Sequence, residues 1–415
     1  MPIFRINPVR LIRSLSHAME LMVDGLNAHH WRVAVICQYL AGALNLTLAE
    51  KQPLFMAALL HDIGAAADFN ERHRLQKPDQ AAPMPKRQVF AHAEEGARLL
   101  QSCDCFRHLT EIVRHHHDHW AGGNPTGTQG ETIPLASRVI HLADSLEVQI
   151  DKRRPILEQC GELSRFFKEQ SSREYDPAVT EALLQTAQKD SFWLDLFNPG
   201  YAEIFFNEME AWGLDYYRAP DLLHIAEVFA KIIDRTSSFT AHHSRRVSKV
   251  ATLLAEQCGF CETELILMET AGLLHDLGKL TIPNAILEKP GALAYEEMHL
   301  MRQHTYHTYR ILQQIGQMET AAQWAGFHHE TLNGEGYPFR LQAQVLPLGS
   351  RIMAVADIFA ALAENRPYRA SLERAEIEKI MGAMAKKGKI DTRLVKMMFD
   401  IYPQASEIIA KASQD

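Results

Sequence analysis

Two stretches decide the reading of this chain: LFMAALLHDIG at 54–64 and LMETAGLLHDLG at 267–278. They resemble each other, and the likeness extends outward from both. Upstream, each follows a His pair with an Arg-Val close behind, AHHWRV (28–33) and AHHSRRV (241–247), and His29 stands 32 residues before His61 just as His243 stands 32 before His275. Downstream, His92 stands 24 residues before His116 and His304 stands 24 before His328, with His117 and His329 following directly. Asp144 in HLADSLE lies 27 residues after His117, and Asp357 in AVADIFA lies 28 after His329. Arg154-Pro155 answers Arg366-Pro367, and Tyr175-Asp176-Pro177 answers Ile390-Asp391-Thr392. The copy-to-copy offset stays between 212 and 215 throughout, which is the mark of a whole domain duplicated in tandem. The first domain is read as 1–215 and the second as 216–415. Within the first, 156–172 reads as an insertion or lengthened loop. The aromatic stretch 191–220, with its Asn-Pro-Gly and Ala-Pro breakers, reads as closing the first copy and connecting it to the second.

Composition agrees with two domains. The chain has 415 residues, and about 100–200 per domain is ordinary. Hydrophobic residues at 47% and charged residues at 23% are globular values. With 43 Lys+Arg against 51 Asp+Glu the net charge is −8, and no long basic run appears, so bulk nucleic acid is not expected as a partner. The N-terminus lacks the apolar core of a signal peptide and no stretch approaches about 18 apolar residues, so a cytoplasmic protein without membrane contact is expected. The six cysteines include one C-x-x-C, Cys258 and Cys261, but no second pair completes a zinc site. Apolar residues recur at helical spacing in VAVICQYLAGAL (33–44), VSKVATLLAEQCGF (247–260) and YRILQQIGQM (309–318), while strand-like alternation is almost absent. The expected class is all-α.

The unusual count is 21 histidines. Each copy presents His, then His-Asp, then His, then His-His, then Asp. Imidazoles with carboxylates suit Fe, Mn or Zn, and seven such ligands are too many for one ion, so two metals sharing a carboxylate is the natural count. An adjacent His-Asp pair serves this, because one carboxylate can bridge with its two oxygens. Two metals about 3.5–4 Å apart activate water and neutralise a phosphate, which is the logic of metal-assisted phosphoester hydrolysis.

The second copy resembles the HD-GYP family, a branch of the HD phosphohydrolases that hydrolyses cyclic dinucleotide second messengers. The resemblance rests on HDLGK (275–279), HHETLNGEGYP (328–338) and NRPYR (365–369), across about 170 residues. It implies two tandem HD-type helical domains. It also implies that His243, His275, Asp276 and Asp357 hold one divalent metal and His304, His328, His329 and the shared Asp276 the other, with Fe, Mn or Ni as the ion. Lys279 matches the family lysine at the scissile phosphate, where an ammonium offsets developing charge. Gly336, Tyr337 and Pro338 lie in the loop that shapes the pocket and meets protein partners. Arg366 and Arg369 would face substrate phosphate or guanine, with helix capping as the equal alternative. Some members carry a glutamate four residues before the first ligand His and recruit a third metal; here that place is Phe239, so two metals are expected. Four residues after the third His the family often has Gly, and this chain has Thr308.

The first copy keeps all seven ligand types, His29, His61, Asp62, His92, His116, His117 and Asp144, but has Ala65 in place of the lysine and HHDHWAGGNPTG in place of the GYP loop. A copy kept only for packing should lose buried ligands first, since unpaired polar groups in a core are costly. Their retention points to a metal-loaded site. The neighbouring His30 and His242 are set aside because the equal 32-residue spacing selects His29 and His243, and His115, His119, His299 and His307 read as surrounding rather than ligating imidazoles. The expected activity is hydrolysis of a 3′,5′-cyclic dinucleotide, cyclic di-GMP or 3′,3′-cyclic GMP-AMP, to the linear 5′-phosphorylated dinucleotide by the second copy, with the first removing the 5′-phosphate as a 5′-nucleotidase. The alternative is a non-catalytic receptor or interaction scaffold.

Overall fold

Every long element of the computed structural model is an α-helix, and the β-contacts among the described residues are isolated bridges such as Ile6 with Tyr217. The structure describes residues 4–21, 28–67, 86–235, 242–289, 291–364 and 371–411; Phe239, Arg366 and Arg369 lie outside them. By spatial proximity the chain divides into two compact units, with the break between Tyr216 and Tyr217.

The longer helices of the first unit are α1 (Pro8–Glu20), α2 (His29–Ala43), α3 (Leu48–Leu60), α4 (Lys86–Gln101), α5 (Leu135–Gln149), α6 (Ile156–Gln170), α7 (Pro177–Thr186) and α8 (Pro199–Glu210). Those of the second are α9 (Ala219–Arg235), α10 (His243–Gln257), α11 (Glu262–Leu274), α12 (Tyr295–Leu312), α13 (Glu319–Gly326), α14 (Leu348–Ala363), α15 (Arg374–Lys386), α16 (Thr392–Asp400) and α17 (Tyr402–Lys411). The centre of each unit is the helix that ends in His-Asp. Leu54, Phe55, Met56, Ala57, Ala58, Leu59 and Leu60 of α3 are all buried, so this helix is apolar on every side. It packs against α2, as α11 packs against α10, and α2 and α10 lie in turn on α5 and α14. A fully buried Leu contributes about 1.5–3 kcal/mol, so the apolar run anchors the turn that follows it.

Helix α6 corrects one expectation. Residues 156–172 form a helix rather than an inserted loop, and α15 occupies the same place in the second unit. Gln159, Leu163 and Phe167 recur every four residues and are buried, which gives α6 a single buried stripe. The helices after them start alike. Asp176 accepts from the Ala178 amide at 2.8 Å and Asp391 from the Arg393 amide at 2.9 Å, the side-chain caps of α7 and α16. Both caps are also ion-paired, Asp176 with Arg138 and Asp391 with Arg351. The aromatic stretch after α7 completes the first unit's core: Phe205, Phe206 and Trp212 surround Phe55 with ring centroids 5.6, 6.3 and 5.8 Å away.

One glycine per unit decides how the ligand helices meet. A Cβ on Gly64 would lie 2.0 Å from the His92 carbonyl oxygen, and one on Gly278 would lie 1.9 Å from that of His304. The glycine two residues after each Asp therefore lets α4 and α12 close onto the His-Asp turn. Among the described residues no helix is long and apolar enough to cross a membrane.

Candidate metal centre

His29 and His243 are the first residues of α2 and α10. The residue before each, Ala28 at φ 73° and His242 at φ 63°, is left-handed, so the chain turns sharply into the helix just where the imidazole must face inward. His61 and His275 end α3 and α11. Their Nδ1–H groups donate to the carbonyls of Ala58 and Gly272, both at 2.8 Å, and satisfy final-turn carbonyls that the helix leaves unpaired. His116 donates likewise to Val113 at 2.6 Å, His304 to Met301 at 2.6 Å and His328 to Ala325 at 2.5 Å.

These side chains converge. In the first unit His29 Nε2 lies 3.4 Å from His61 Nε2, 3.7 Å from Asp62 Oδ2 and 3.3 Å from Asp144 Oδ1. The other oxygen of Asp62 lies 3.5 Å from His92 Nε2, which is itself 3.3 Å from His116 Nε2 and 2.9 Å from His117 Nε2. In the second unit His243 Nε2 is 3.2 Å from Asp357 Oδ1, and His275 Nε2 is 3.2 Å from Asp276 Oδ2. Asp276 Oδ1 is 3.5 Å from His304 Nε2, which is 3.5 Å from His328 Nε2; His329 completes that group. All fourteen expected residues are thus brought together, seven per unit, with one carboxylate reaching to both sides of each cluster.

The donor set fits metal ions. With Nδ1–H committed to a carbonyl, the Nε2 of His61, His116, His275, His304 and His328 presents a lone pair, and lone pairs gathered within 3–4 Å of carboxylate oxygens repel unless a cation lies among them. The buried Nε2 of His275 has no hydrogen-bond partner. Burial holds His116 and His304 down to about 3, so both are neutral. Burial also opposes charge on His29 and His243, but hydrogen bonds to Asp144 and Glu147, and to Asp357 and Glu364, outweigh it and lift each to about 10. Asp62 and Asp276 stay well below the usual carboxylate range, because His61, His275 and their neighbours overcome the cost of burial. The groups that could hold ions are therefore metal-capable in residue type and in spacing.

Sequence reading missed the acids that orient the first ligand. Glu147 accepts from His29 Nδ1 at 2.6 Å and is held by Arg32 Nε at 2.7 Å; Glu364 lies 3.1 Å from His243 Nδ1 and 3.5 Å from Arg246. Such partners fix the tautomer and raise ligand basicity. The available signal was an acid one turn after Asp144 and two turns after Asp357. Thr308 was read only as a departure from pattern, yet its hydroxyl donates to the His275 carbonyl at 3.0 Å and accepts from the Gly278 amide at 2.9 Å, tying α12 to the His-Asp turn.

Beside the second cluster opens a cleft of about 480 Å³. Ligand side chains, Lys279 and Tyr337 line one part, and Met298, Met301, Ile358 and Met384 line another. Lys279 Nζ sits 2.6 Å from Asp276 Oδ2. Gly336 and Pro338 border a separate groove with Arg302, Tyr306 and Arg340, and Tyr337 is shared between the two. The loop is built on buried Glu330, whose carboxylate accepts from the amides of Phe339 at 2.6 Å and Leu341 at 2.9 Å. In the first unit Asp118 stands in that place and takes the hydroxyls of Thr126 at 2.7 Å and Thr128 at 2.6 Å instead.

Comparison with known proteins agrees with the duplication. A family model described as HD domain matches residues 13–179 and again 227–394. The chain is 28% identical over 408 residues to the 3′3′-cGAMP-specific phosphodiesterase 1 of Vibrio cholerae serotype O1, covering 93% of this chain and 88% of that protein. It is 36% identical over 256 residues to the 3′3′-cGAMP-specific phosphodiesterase 3 of the same organism, covering 61% of this chain and 55% of that one, so it spans about half the length of this relative. A crystal structure of a cyclic GMP-AMP specific phosphodiesterase of V. cholerae, V-cGAP3, has the same fold, with a TM-score of 0.66 and 24% identity over 99% of this chain and 98% of that one. With the family model matched twice and a His-Asp turn at the heart of each match, this chain belongs to the HD domain family, in tandem, and its second copy is of the HD-GYP type.

Proposed function

We propose that the chain hydrolyses a 3′,5′-cyclic dinucleotide to the linear 5′-phosphorylated dinucleotide in the second unit, and that the first unit then removes the 5′-phosphate. The observation that carries the reading is the cleft of about 480 Å³, in which the converged ligands and Lys279 adjoin an apolar wall of Met298, Met301, Ile358 and Met384. A phosphodiester fits the charged part and the face of a purine fits the apolar part. Two divalent ions per centre, Fe, Mn or Ni, would supply Lewis acidity toward the phosphate and an acidified water.

The chain's own groups do the rest. Asp276 joins the two halves of the second cluster, and His243, His275 and Asp357 on one side with His304, His328 and His329 on the other hold the ions. Lys279 places an ammonium where negative charge grows on the phosphate oxygens. Tyr337 closes one side of the cleft and limits how the substrate lies. The names of the two V. cholerae relatives favour 3′,3′-cyclic GMP-AMP, with cyclic di-GMP as the second candidate. In the first unit the ligand set is complete but Ala65 removes the lysine, which suits the easier hydrolysis of a phosphomonoester. A receptor or scaffold role would not require two complete ligand sets.

Product analysis by chromatography tests this. Mn- or Fe-loaded wild type should convert either cyclic substrate to a dephosphorylated linear product. His275→Ala/Asp276→Ala should leave the cyclic substrate intact, whereas His61→Ala/Asp62→Ala should accumulate the 5′-phosphorylated linear dinucleotide. Consumption of neither substrate with any metal would overturn the proposal.

A further inference from the structure

The first unit carries a sixth imidazole at its centre that the second unit lacks. His30 follows His29 on α2, and its Nε2 lies 3.7 Å from Asp62 Oδ2, the same separation as His29 Nε2 from that oxygen. His29, His30 and Asp62 offer ligand atoms within 4.8 Å of one another. Metal bonds of about 2.0–2.2 Å put two donors of one ion about 3–4.4 Å apart, so this geometry suits a shared ion. The His30 and His61 rings sit 5.4 Å apart, as do those of His30 and His29.

The ring is held in this orientation. His30 is buried; its Nδ1 meets Ser16 Oγ at 3.1 Å, and its main-chain N–H donates to Glu20 at 2.6 Å. Nε2 is left to face Asp62. In the second unit Ser244 stands at the matching position, and its N–H and hydroxyl both turn to Asp234, at 3.2 and 2.6 Å. The residue matching Ser16 is Ala230, buried in α9. The imidazole and the hydroxyl that aims it are thus present together in one copy and absent together from the other.

We infer that His30 is a fifth protein ligand of the ion held by His29, His61, Asp62 and Asp144. The first centre then holds this ion more tightly than the second holds its counterpart, and in an octahedral ion it leaves one position open where the second leaves two. The inference rests on the reading that the first unit is metal-loaded.

Full-length protein loaded with Mn(II) is dialysed against graded concentrations of EDTA, and bound manganese per chain is counted by mass spectrometry for wild type, His30→Ser and His61→Ala/Asp62→Ala. Wild type should hold more ions than the double variant, and His30→Ser should give up part of that difference at about 10–100-fold lower chelator, at least the cost of losing an orienting partner of a ligand. Thermal unfolding separates ligation from packing: without metal the His30→Ser variant should melt near wild type, and its gain on adding Mn(II) should be smaller. His30→Gln, which keeps a polar side chain for Ser16 but no imidazole, serves if the serine variant does not fold. Release curves that coincide for wild type and both His30 variants would overturn the inference. Equal ion counts in wild type and the double variant would instead overturn the reading of a loaded first centre.

Discussion

Glu147 and Glu364 touch no substrate, yet they hold His29 and His243 by Nδ1 and are themselves held by Arg32 and Arg246. Replacing Glu364 with Gln keeps the shape and removes the charge that stabilises the imidazole N–H. Metal affinity at the second centre should fall about 10–100-fold, and activity lost at low Mn(II) should return at high Mn(II); a metal titration of the hydrolysis rate reads this directly. Lys279 is expected to behave in the opposite way. Its ammonium lies 2.6 Å from Asp276 Oδ2 but is not a ligand, so Lys279→Ala should leave metal content unchanged while kcat drops about 10²–10³-fold. Metal counting alongside kinetics distinguishes the two. At this scale the sequence was informative about Lys279, whose place after His-Asp-x-Gly is a local pattern. It was silent about Glu364, which reaches His243 from 121 residues away only because α14 lies across α10.

Among the elements, the ligand helices are locked by close backbone approach rather than by large side chains. Gly278→Ala places a methyl group 1.9 Å from the His304 carbonyl oxygen, and the atom in its way is backbone, which cannot swing aside. The second unit should lose on the order of 1–3 kcal/mol, read from denaturant unfolding, and Gly64→Ala should do the same to the first. Gly336→Ala acts on a different element. Its Cβ would meet the Glu330 Cα at 2.5 Å and the His329 carbonyl oxygen at 2.6 Å, so the loop bearing Tyr337 must shift. A raised KM with little change in metal content is the expected result, checked by steady-state kinetics and metal analysis. The helical character of α2, α3, α10 and α11 was legible from apolar spacing. Helix α6 was not, because its buried stripe of Gln159, Leu163 and Phe167 is short and flanked by Pro155 and the Tyr175-Asp176-Pro177 turn, so the segment read as irregular. Nor did Ala28 or His242 advertise a left-handed turn, since neither is glycine or asparagine.

For the molecule as a whole, metal and folding are linked, because clusters of neutral imidazole and ionised carboxylate exist only in the folded units. Saturating Mn(II) should raise the stability of a loaded unit by RT ln(1 + [Mn]/Kd), about 2.7 kcal/mol at a hundred times Kd. Calorimetry with and without chelator should show this gain for wild type, and His61→Ala/Asp62→Ala should lose the part belonging to the first unit. The sequence by itself determined the all-α class, the duplication and the fourteen converging ligands, because helical periodicity and constant spacing between copies are properties of order along the chain. Tertiary structure alone decided which acids orient His29 and His243, that Tyr337 rather than Gly336 or Pro338 borders the cleft, and that His30 turns inward on Ser16 while Ser244 turns away. Those outcomes depend on which helix faces which across a core, and residues far apart in sequence become neighbours only when the apolar faces that carry them are buried together.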